Sequence, residues 1–264
     1  MNEKLLNKQF SVGLQAVKEA SKIAMQYYKN LPNIQRKASG SVVTLADFAA
    51  EDKMFSIIER NFPYDSLHGE ESGLQKKKTK YTWVADPIDG TSNYMHGLPM
   101  FGVSLALLEN NKPIIGFVSL PFYQEIFYGI KRKGSYLIKN KKKFLLSVSK
   151  TKEFKDSLLI ISARARSDYA TLEKLIRIFI PYCNYRSFGS VVFNLMQLAK
   201  GNVQAVISHG LHPWDNAASF VITEEAGAKI TNFQGKKWNL NEKSFLITNN
   251  ILHKEFLDII KKNM

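Results

Sequence analysis

The segment that most constrains this chain is residues 86–91, which read Asp-Pro-Ile-Asp-Gly-Thr. The apolar run Trp-Val-Ala comes directly before it and predicts the end of a buried strand. The proline restricts the backbone of the first aspartate to extended conformations, and Gly90 permits a path that a side chain would block. A turn here can direct the carboxylates of Asp86 and Asp89, and the Ile88 carbonyl between them, towards one point.

Oxygen ligands of this kind favour Mg²⁺ over zinc, which prefers nitrogen and sulfur ligands. The alternative for this segment is an Asp-Pro turn whose two acids are solvated, since this dipeptide is typical of turns.

Three further segments carry acidic or polar groups in short motifs. They read Val-Thr-Leu-Ala-Asp at 43–47, His-Gly-Glu-Glu-Ser at 68–72 and Leu-His-Pro-Trp-Asp-Asn-Ala-Ala at 211–218. In order and spacing, these segments and residues 86–91 together resemble the inositol monophosphatase family of Mg²⁺-dependent phosphatases. The resemblance covers about residues 35–240, and it implies a layered αβαβα fold.

The resemblance also implies a set of metal ligands. Glu70, Asp86 and the Ile88 carbonyl would hold the metal that activates the attacking water. Asp86, Asp89 and Asp215 would hold the metal that stabilises the leaving oxygen. Two or three Mg²⁺ ions are therefore expected. Taken alone, Glu70 fits a solvated loop acid equally well, and Asp215 fits a helix N-terminal cap.

Glu70, Asp47 and Thr91 are the expected catalytic residues. In the family, the threonine hydroxyl lies between the water and the aspartate and helps to remove the proton. The spacing Thr44-x-x-Asp47 is also typical of a helix capping box, and the two roles are compatible.

The substrate contacts expected from the same resemblance are Asp89, Gly90, Thr91, Ser162, Ser190, Val191, Ser208 and Asp215. Ser208 departs from the family pattern, because relatives often carry a carboxylate there for inositol hydroxyls. This departure weakens the expectation of myo-inositol 1-phosphate as the substrate. Four histidines are interpreted as packing groups or as groups that contact metal ligands, rather than as ligands themselves, since they lack zinc-type pairing: His68, His96, His209 and His212.

The first functional hypothesis is a Mg²⁺-dependent phosphomonoesterase acting on a small polyol or sugar phosphate. Histidinol phosphate and fructose 1,6-bisphosphate are alternative substrates. The substrate 3′-phosphoadenosine 5′-phosphate is disfavoured, because Ser-Asn-Tyr at 92–94 replaces the Lys-Glu-Phe common in that branch.

A hypothesis of another class is a moonlighting protein that contacts RNA or transcription machinery. The net charge of +14 would suit such a partner. No nucleic-acid motif accompanies this charge, so we interpret it first as solvated lysine-rich surface, and steering of an anionic substrate is a second interpretation.

Composition agrees with an enzyme that is not embedded in a membrane. The 264 residues are 45% hydrophobic, which is enough for a large core. No apolar run reaches the length of a membrane span, and residues 1–8 lack a signal core, so a cytoplasmic location is expected. Cys183 is the single cysteine, which excludes an internal disulfide and fits inert packing. We expect a homodimer.

The chain organisation is α/β, or more strictly α+β. Residues 2–30 form a predicted helix, and a second helix follows Thr44 to about Pro63, burying Phe48, Phe55 and Ile58. An antiparallel meander is predicted with strands at 103–108, 114–120 and 125–130. The second half has predicted strands at 158–161, 203–207 and 245–248, and predicted helices at 170–179, 190–199, 214–226 and the C-terminus.

A basic stretch at residues 139–143 marks the predicted boundary between two halves. The N-terminal α+β half, residues 1–143, would carry an antiparallel-rich sheet and most metal ligands. The smaller C-terminal α/β half, residues 144–264, would supply Asp215 and substrate contacts.

Overall fold

A computed structural model describes residues 3–28, 35–36, 42–163 and 169–264 of the chain. The helices in these residues are α1 Glu3–Tyr27, α2 Leu45–Asn61, α3 Thr91–Met95, α4 Tyr169–Phe179, α5 Val191–Ala199, α6 Pro213–Glu225 and α7 His253–Asn263. The strands are β1 Gln35–Arg36, β2 Val42–Val43, β3 Ser66–Gly69, β4 Gly73–Gln75, β5 Tyr81–Asp89, β6 Gly102–Glu109, β7 Lys112–Leu120, β8 Glu125–Ile130, β9 Ser135–Lys139, β10 Lys142–Leu145, β11 Leu158–Ala163, β12 Asn184–Arg186, β13 Ala205–His209, β14 Lys229–Thr231 and β15 Phe245–Thr248.

The larger sheet has eight strands in the order β10-β9-β8-β7-β6-β5-β3-β4. Its neighbours are antiparallel except β3 and β5, which are parallel with Gly69 opposite Ala85. The carboxyl ends of two parallel strands meet at one edge of a sheet. This pairing therefore brings the residues after Gly69 and Ala85, which are Glu70 and Asp86, to the same edge.

The smaller sheet has five strands in the order β12-β11-β13-β15-β14. Strand β11 is parallel to both β12 and β13, whereas β15 is antiparallel to β13 and β14. Ser162 on β11 lies opposite Ser208 on β13.

The helices and the two sheets form five layers, and three hydrophobic clusters fill the space between them. Alternate residues of a strand face opposite sides of its sheet, so Trp83 packs with α1 and α2 while Val84 packs with α5 and α6. On the smaller sheet, Ile160 joins the same α5–α6 cluster and Leu159 packs with α4 and α7. The layered αβαβα architecture expected from the sequence is thereby confirmed.

Glycines let α6 lie directly on the larger sheet. A Cβ atom at Gly116 of β7 would overlap the backbone of Ala218, and one at Gly129 of β8 would lie 2.9 Å from the Cα atom of Ile222. Helix α6 begins at the functional site described below, so this close packing fixes the depth at which its first turn meets the sheet.

Most predicted elements are present, with shifted ends. Helix α1 is described to Tyr27, and residues 29–30 of the predicted helix lie outside the described residues. The strand predicted at 203–207 begins two residues later, at Ala205. The larger sheet continues to Leu145, two residues beyond the expected boundary at 143. The division into 1–143 and 144–264 stays a prediction.

One core prediction is wrong. Phe48 is expected from the sequence to be buried with Phe55 and Ile58, but its side chain is 43% exposed while the other two are buried. In the described residues, helix α2 packs chiefly against α1 and β5, and the Phe48 ring lies at the surface of the helix.

No helix in the described part of the chain combines the length and the apolar character needed to cross a membrane.

Candidate active site

Three buried carboxylates converge at the carboxyl end of β5. One oxygen from each of Asp86, Asp89 and Asp215 lies within 4.8 Å of the others. The side chains are 1%, 8% and 3% exposed, respectively. Like charges this close in a buried position repel each other unless a cation or protons neutralise them.

The first two acids come from an irregular end of β5. The pairing of β5 with β6 shifts register between Asp86 and Asp89. Asp86 Oδ1 accepts the Ile88 N–H at 3.0 Å, which closes the turn around Pro87. A bulge of this kind changes the direction of side chains at a strand end, and here both carboxylates join one cluster.

Gly90 connects this strand end to helix α3. Its φ of 84° lies in the left-handed region, which favours glycine. A Cβ atom at this position would lie 2.9 Å from the Cβ atom of Ser190 and 3.0 Å from the Met100 carbonyl oxygen. The turn therefore requires glycine both for its conformation and for the close approach of the chain at residue 190.

Asp89 joins the larger sheet to the first turn of α5. Its Oδ2 atom accepts the Val192 N–H at 2.9 Å and a short hydrogen bond from the Ser190 hydroxyl. The Ser190 hydroxyl in turn accepts the Phe193 N–H at 3.2 Å as the N-cap of α5. The expected substrate contacts Ser190 and Val191 thus lie directly beside an expected metal ligand.

Asn93, in helix α3 after β5, makes a second connection to the segment before α5. The sequence motifs did not predict a role for it. Its amide Nδ2 donates to the Met100 carbonyl at 2.7 Å and to the Phe188 carbonyl at 2.5 Å. The signal available in the sequence was its place four residues after Asp89, on the first turns of a helix that follows an acidic motif.

Asp215 lies in the first turn of α6. Its Oδ2 atom accepts the His212 N–H at 2.6 Å, so it caps the helix and also belongs to the acidic cluster. The Trp214 ring stacks on His212 at 4.7 Å between centroids and meets His68 edge-on at 5.3 Å. Burial lowers the pKa of His68.

Glu70 follows β3 and lies beside the cluster rather than within it. Its backbone N–H donates to the Ala85 carbonyl at 3.1 Å, directly before Asp86. It does not belong to the group of Asp86, Asp89 and Asp215 that the described residues form. The buried Glu51 of α2 accepts the N–H groups of the two residues after Glu70.

Asp47 is buried at the first turn of α2. Its Oδ2 atom accepts both the N–H and the hydroxyl of Thr44, at 2.8 and 2.6 Å. Burial raises the pKa of Asp47 to about 7; the charges of Glu71 and Glu70 add to this increase and the Thr44 bonds oppose it. The Thr91 hydroxyl donates to the Ile88 carbonyl at 3.0 Å, so the expected Thr91 and Asp47 pair is not hydrogen-bonded in this structure.

Ser162 and Ser208 form one buried pair on neighbouring strands. Their hydroxyls are 3.1 Å apart, and Ser208 has no exposed surface while Ser162 is 7% exposed.

His209 Nδ1 lies 2.6 Å from the Ser244 hydroxyl. Cys183 is also buried, and burial raises its thiol pKa to about 11, as fits a packing role.

The donor set fits a divalent cation that prefers oxygen. The three clustered carboxylates, with the Ile88 carbonyl and Glu70 at the same strand ends, are ligands suited to Mg²⁺, and no histidine or cysteine belongs to the described group. The structure thus forms a buried acidic site whose residues could bind a metal for hydrolysis of an anionic substrate.

Comparison with known proteins defines the class. The model of the inositol monophosphatase family matches residues 6–264, so the chain belongs to this family of phosphoric monoester hydrolases. Inositol monophosphatase 3 of Solanum lycopersicum is 30% identical over 260 residues, which are 95% of this chain and 96% of that protein. A Thermotoga maritima protein named fructose-1,6-bisphosphatase/inositol-1-monophosphatase is 28% identical over 96% of this chain and 95% of its own.

Solved structures share the fold. The inositol monophosphatase from Anabaena (Nostoc) has a TM-score of 0.86 and 29% identity, covering 98% of this chain and 97% of its own. The extragenic suppressor protein suhB from Bartonella henselae has a TM-score of 0.90 at 24% identity, covering 97% and 99%, and this likeness concerns the fold alone. The expected family and fold are confirmed.

Proposed function

We propose that this phosphatase hydrolyses the phosphate monoester of a small polyol or sugar, and that Mg²⁺ is its metal. The observation that carries the proposal is the convergence of Asp86, Asp89 and Asp215 within 4.8 Å in a buried position. Bound Mg²⁺ would supply a water of lowered pKa and neutralise charge on the leaving oxygen.

The proposed ligands extend beyond the clustered acids. Glu70, Asp86 and the Ile88 carbonyl would hold one ion, and Asp86, Asp89 and Asp215 would hold the second. The parallel pairing of β3 and β5 supports the first set, since it brings Glu70 and Asp86 to one edge. Two or three ions are proposed.

Asp47 is proposed to remove a proton from water through Thr91. Its raised pKa, about 7, suits a group that exchanges a proton near neutral pH. This role requires the Thr91 hydroxyl to leave the Ile88 carbonyl, to which it donates in the structure. The N–H groups of Gly90 and Thr91 at the start of α3 are proposed to bind phosphate oxygens.

The proposed substrate class follows the names of the relatives. These include inositol monophosphatases and proteins named fructose-1,6-bisphosphatase/inositol-1-monophosphatase. The serine at position 208, in place of an expected carboxylate, favours a leaving group that does not depend on a charged contact. Fructose 1,6-bisphosphate is therefore the main alternative to an inositol phosphate, and histidinol phosphate is the next.

Phosphate release from a panel of these esters, with Mg²⁺ and with excess chelator, tests the proposal. We expect release from at least one sugar or polyol phosphate that stops on chelation. Full activity in chelator would contradict the metal assignment.

A homodimer and a cytoplasmic location stay proposals, which sedimentation and cell fractionation can test. A salt-titrated RNA-binding assay tests the moonlighting alternative.

A further inference from the structure

Glu51 is a buried acid that the phosphatase chemistry above does not use. It lies on α2, one helical turn after Asp47, and its side chain is 2% exposed. Burying a carboxylate costs several kcal/mol unless hydrogen bonds compensate, so such a group is expected to have a specific partner.

The partners of Glu51 are two backbone N–H groups in the turn between β3 and β4. One carboxylate oxygen accepts the Glu71 N–H at 3.1 Å, and the other accepts the Ser72 N–H at 2.8 Å. A bidentate arrangement of this kind fixes the direction of both peptide units. Because Glu70 immediately precedes them, its own backbone is restricted as well.

Gly69 makes room for this contact. A Cβ atom at position 69 would overlap the Glu51 carboxylate, and Gly69 does not have the positive φ that would otherwise explain a glycine. On the other side of the turn, the Glu70 N–H bonds to the Ala85 carbonyl at 3.1 Å. Glu70 is therefore held between the residue before Asp86 and the carboxylate of Glu51.

We propose that Glu51 is a positioning residue that holds the turn of residues 69–72, so that Glu70 meets the acidic site in a geometry able to bind metal. The inference rests on the proposed metal role of Glu70. Groups that orient metal ligands without touching the metal typically change metal affinity by about 10- to 100-fold when removed.

Glu51→Gln tests this role, because it keeps the size of the side chain but replaces one acceptor with a donor that faces an N–H group. Mg²⁺ affinity by calorimetry should fall by about 10- to 100-fold. Amide hydrogen exchange at Glu71 and Ser72 should accelerate in the same variant. In kinetics, the Mg²⁺ concentration for half-maximal activity should rise while kcat at saturating Mg²⁺ recovers.

Glu59→Gln is the matched control. Glu59 lies on the same helix and pairs with Lys77 at 3.1 Å on the exposed side, so its removal should change neither Mg²⁺ affinity nor exchange at residues 71–72. Gly69→Ala is the second test variant, since it displaces the Glu51 carboxylate without removing its charge. Gly69→Ala should also weaken Mg²⁺ binding. If Glu51→Gln does not fold, Gly69→Ala tests the inference in its place.

Unchanged Mg²⁺ affinity in a folded Glu51→Gln or Gly69→Ala protein overturns the inference. Weakened Mg²⁺ binding without faster exchange at residues 71–72 also overturns it, because the effect would then not pass through the turn. A wild-type protein that binds no Mg²⁺ would instead contradict the proposed function, so the two failures are distinguishable.

Discussion

The carboxylate of Asp89 accepts the Val192 N–H at 2.9 Å, across 103 residues of chain. This bond ties the end of β5 in the larger sheet to the first turn of α5, which lies with α6 between the two sheets. The same oxygen accepts a hydrogen bond from the Ser190 hydroxyl, so one acid of the buried acidic cluster also fixes the contact between these two segments. Changes on either side should therefore affect the geometry of the site.

Ser190→Ala should lower kcat by about 10- to 100-fold with little change in KM, because Asp89 loses one of the groups that orient it. Stability should fall by about 1 kcal/mol from loss of the α5 N-cap. Steady-state kinetics and urea unfolding measure both effects. Ser190→Thr should retain activity, and Ser56→Ala on the exposed side of α2 is the control. A raised KM at unchanged kcat would support the sequence-based expectation of direct substrate contact instead.

Two glycines with similar backbone angles allow strain to be separated from crowding. Gly73 has a φ of 72° and open space where a Cβ atom would lie, whereas Gly90 has a φ of 84° and close neighbours. Gly73→Ala should cost about 1–2 kcal/mol from left-handed strain alone. Gly90→Ala should cost more and should also reduce kcat. Equal losses of stability in urea, with kcat unchanged in both, would contradict the proposed role of the close contact at Ser190.

Asp89→Asn should reduce turnover by several orders of magnitude, because it removes one charge from the acidic cluster that is proposed to hold Mg²⁺. In the wild type, Mg²⁺ at 100 times its Kd should raise the free energy of unfolding by about 2.7 kcal/mol. The variant should show a smaller increase, measured by urea unfolding with Mg²⁺ and with chelator. Asp258→Asn, on an exposed part of α7, should behave as the wild type. Activity close to wild type in Asp89→Asn is the contrary result.

Ser162 and Ser208 should be energetically coupled. Each single change to Ala should cost about 1 kcal/mol because it leaves the other buried hydroxyl without its partner, and the double variant should cost about as much as either single one. A double-mutant cycle in urea measures the coupling. If Ser162 also contacts substrate, Ser162→Ala should raise KM, and an unchanged KM would contradict that expectation.

His253 should make the fold sensitive to mild acid. Its ring lies between the Thr231 and Thr248 hydroxyls, at 3.0 and 2.9 Å. Burial is the main cause that lowers the pKa of His253 from 6.5 to about 4, and the charge of Lys229 is the second cause. The unfolded chain therefore binds a proton first as pH falls from about 6.5, and the folded chain does so only near 4. Stability is fully present above about 6.5 and decreases as pH falls to 4, by up to about 1.4 kcal/mol per pH unit.

His253→Gln should remove this part of the pH dependence. The free energy of unfolding measured at pH 7, 6 and 5 should decline less steeply in the variant than in the wild type. Parallel curves for the two proteins would show that the His253 ring is not the titrating group.

The sequence by itself was sufficient for the family through its four motifs, for the layered fold that this resemblance implied, and for most helices and strands. Local chemistry carries the information on the motif and on these elements: Pro87 lies between the two acids of residues 86–91, Gly90 follows the second acid, and apolar periodicity marks the helices and strands that were predicted. The sequence was not sufficient to predict the exposure of Phe48, because its spacing from Phe55 and Ile58 is typical of one buried helix face although its ring lies at the surface. Burial depends on what covers an element, and the sequence of α2 does not contain its neighbours.

The tertiary structure decided which residues support the acids. Parallel pairing of β3 with β5 brings Glu70 beside Asp86, and the approach of α5 places Ser190 on Asp89. The sequence did not indicate a role for Glu51 or Asn93. Each bonds to backbone groups of other segments, and such bonds cannot be recognised from the type of side chain. The acids themselves are determined locally by their motifs, whereas their geometry depends on contacts between segments up to about a hundred residues apart, which only folding creates.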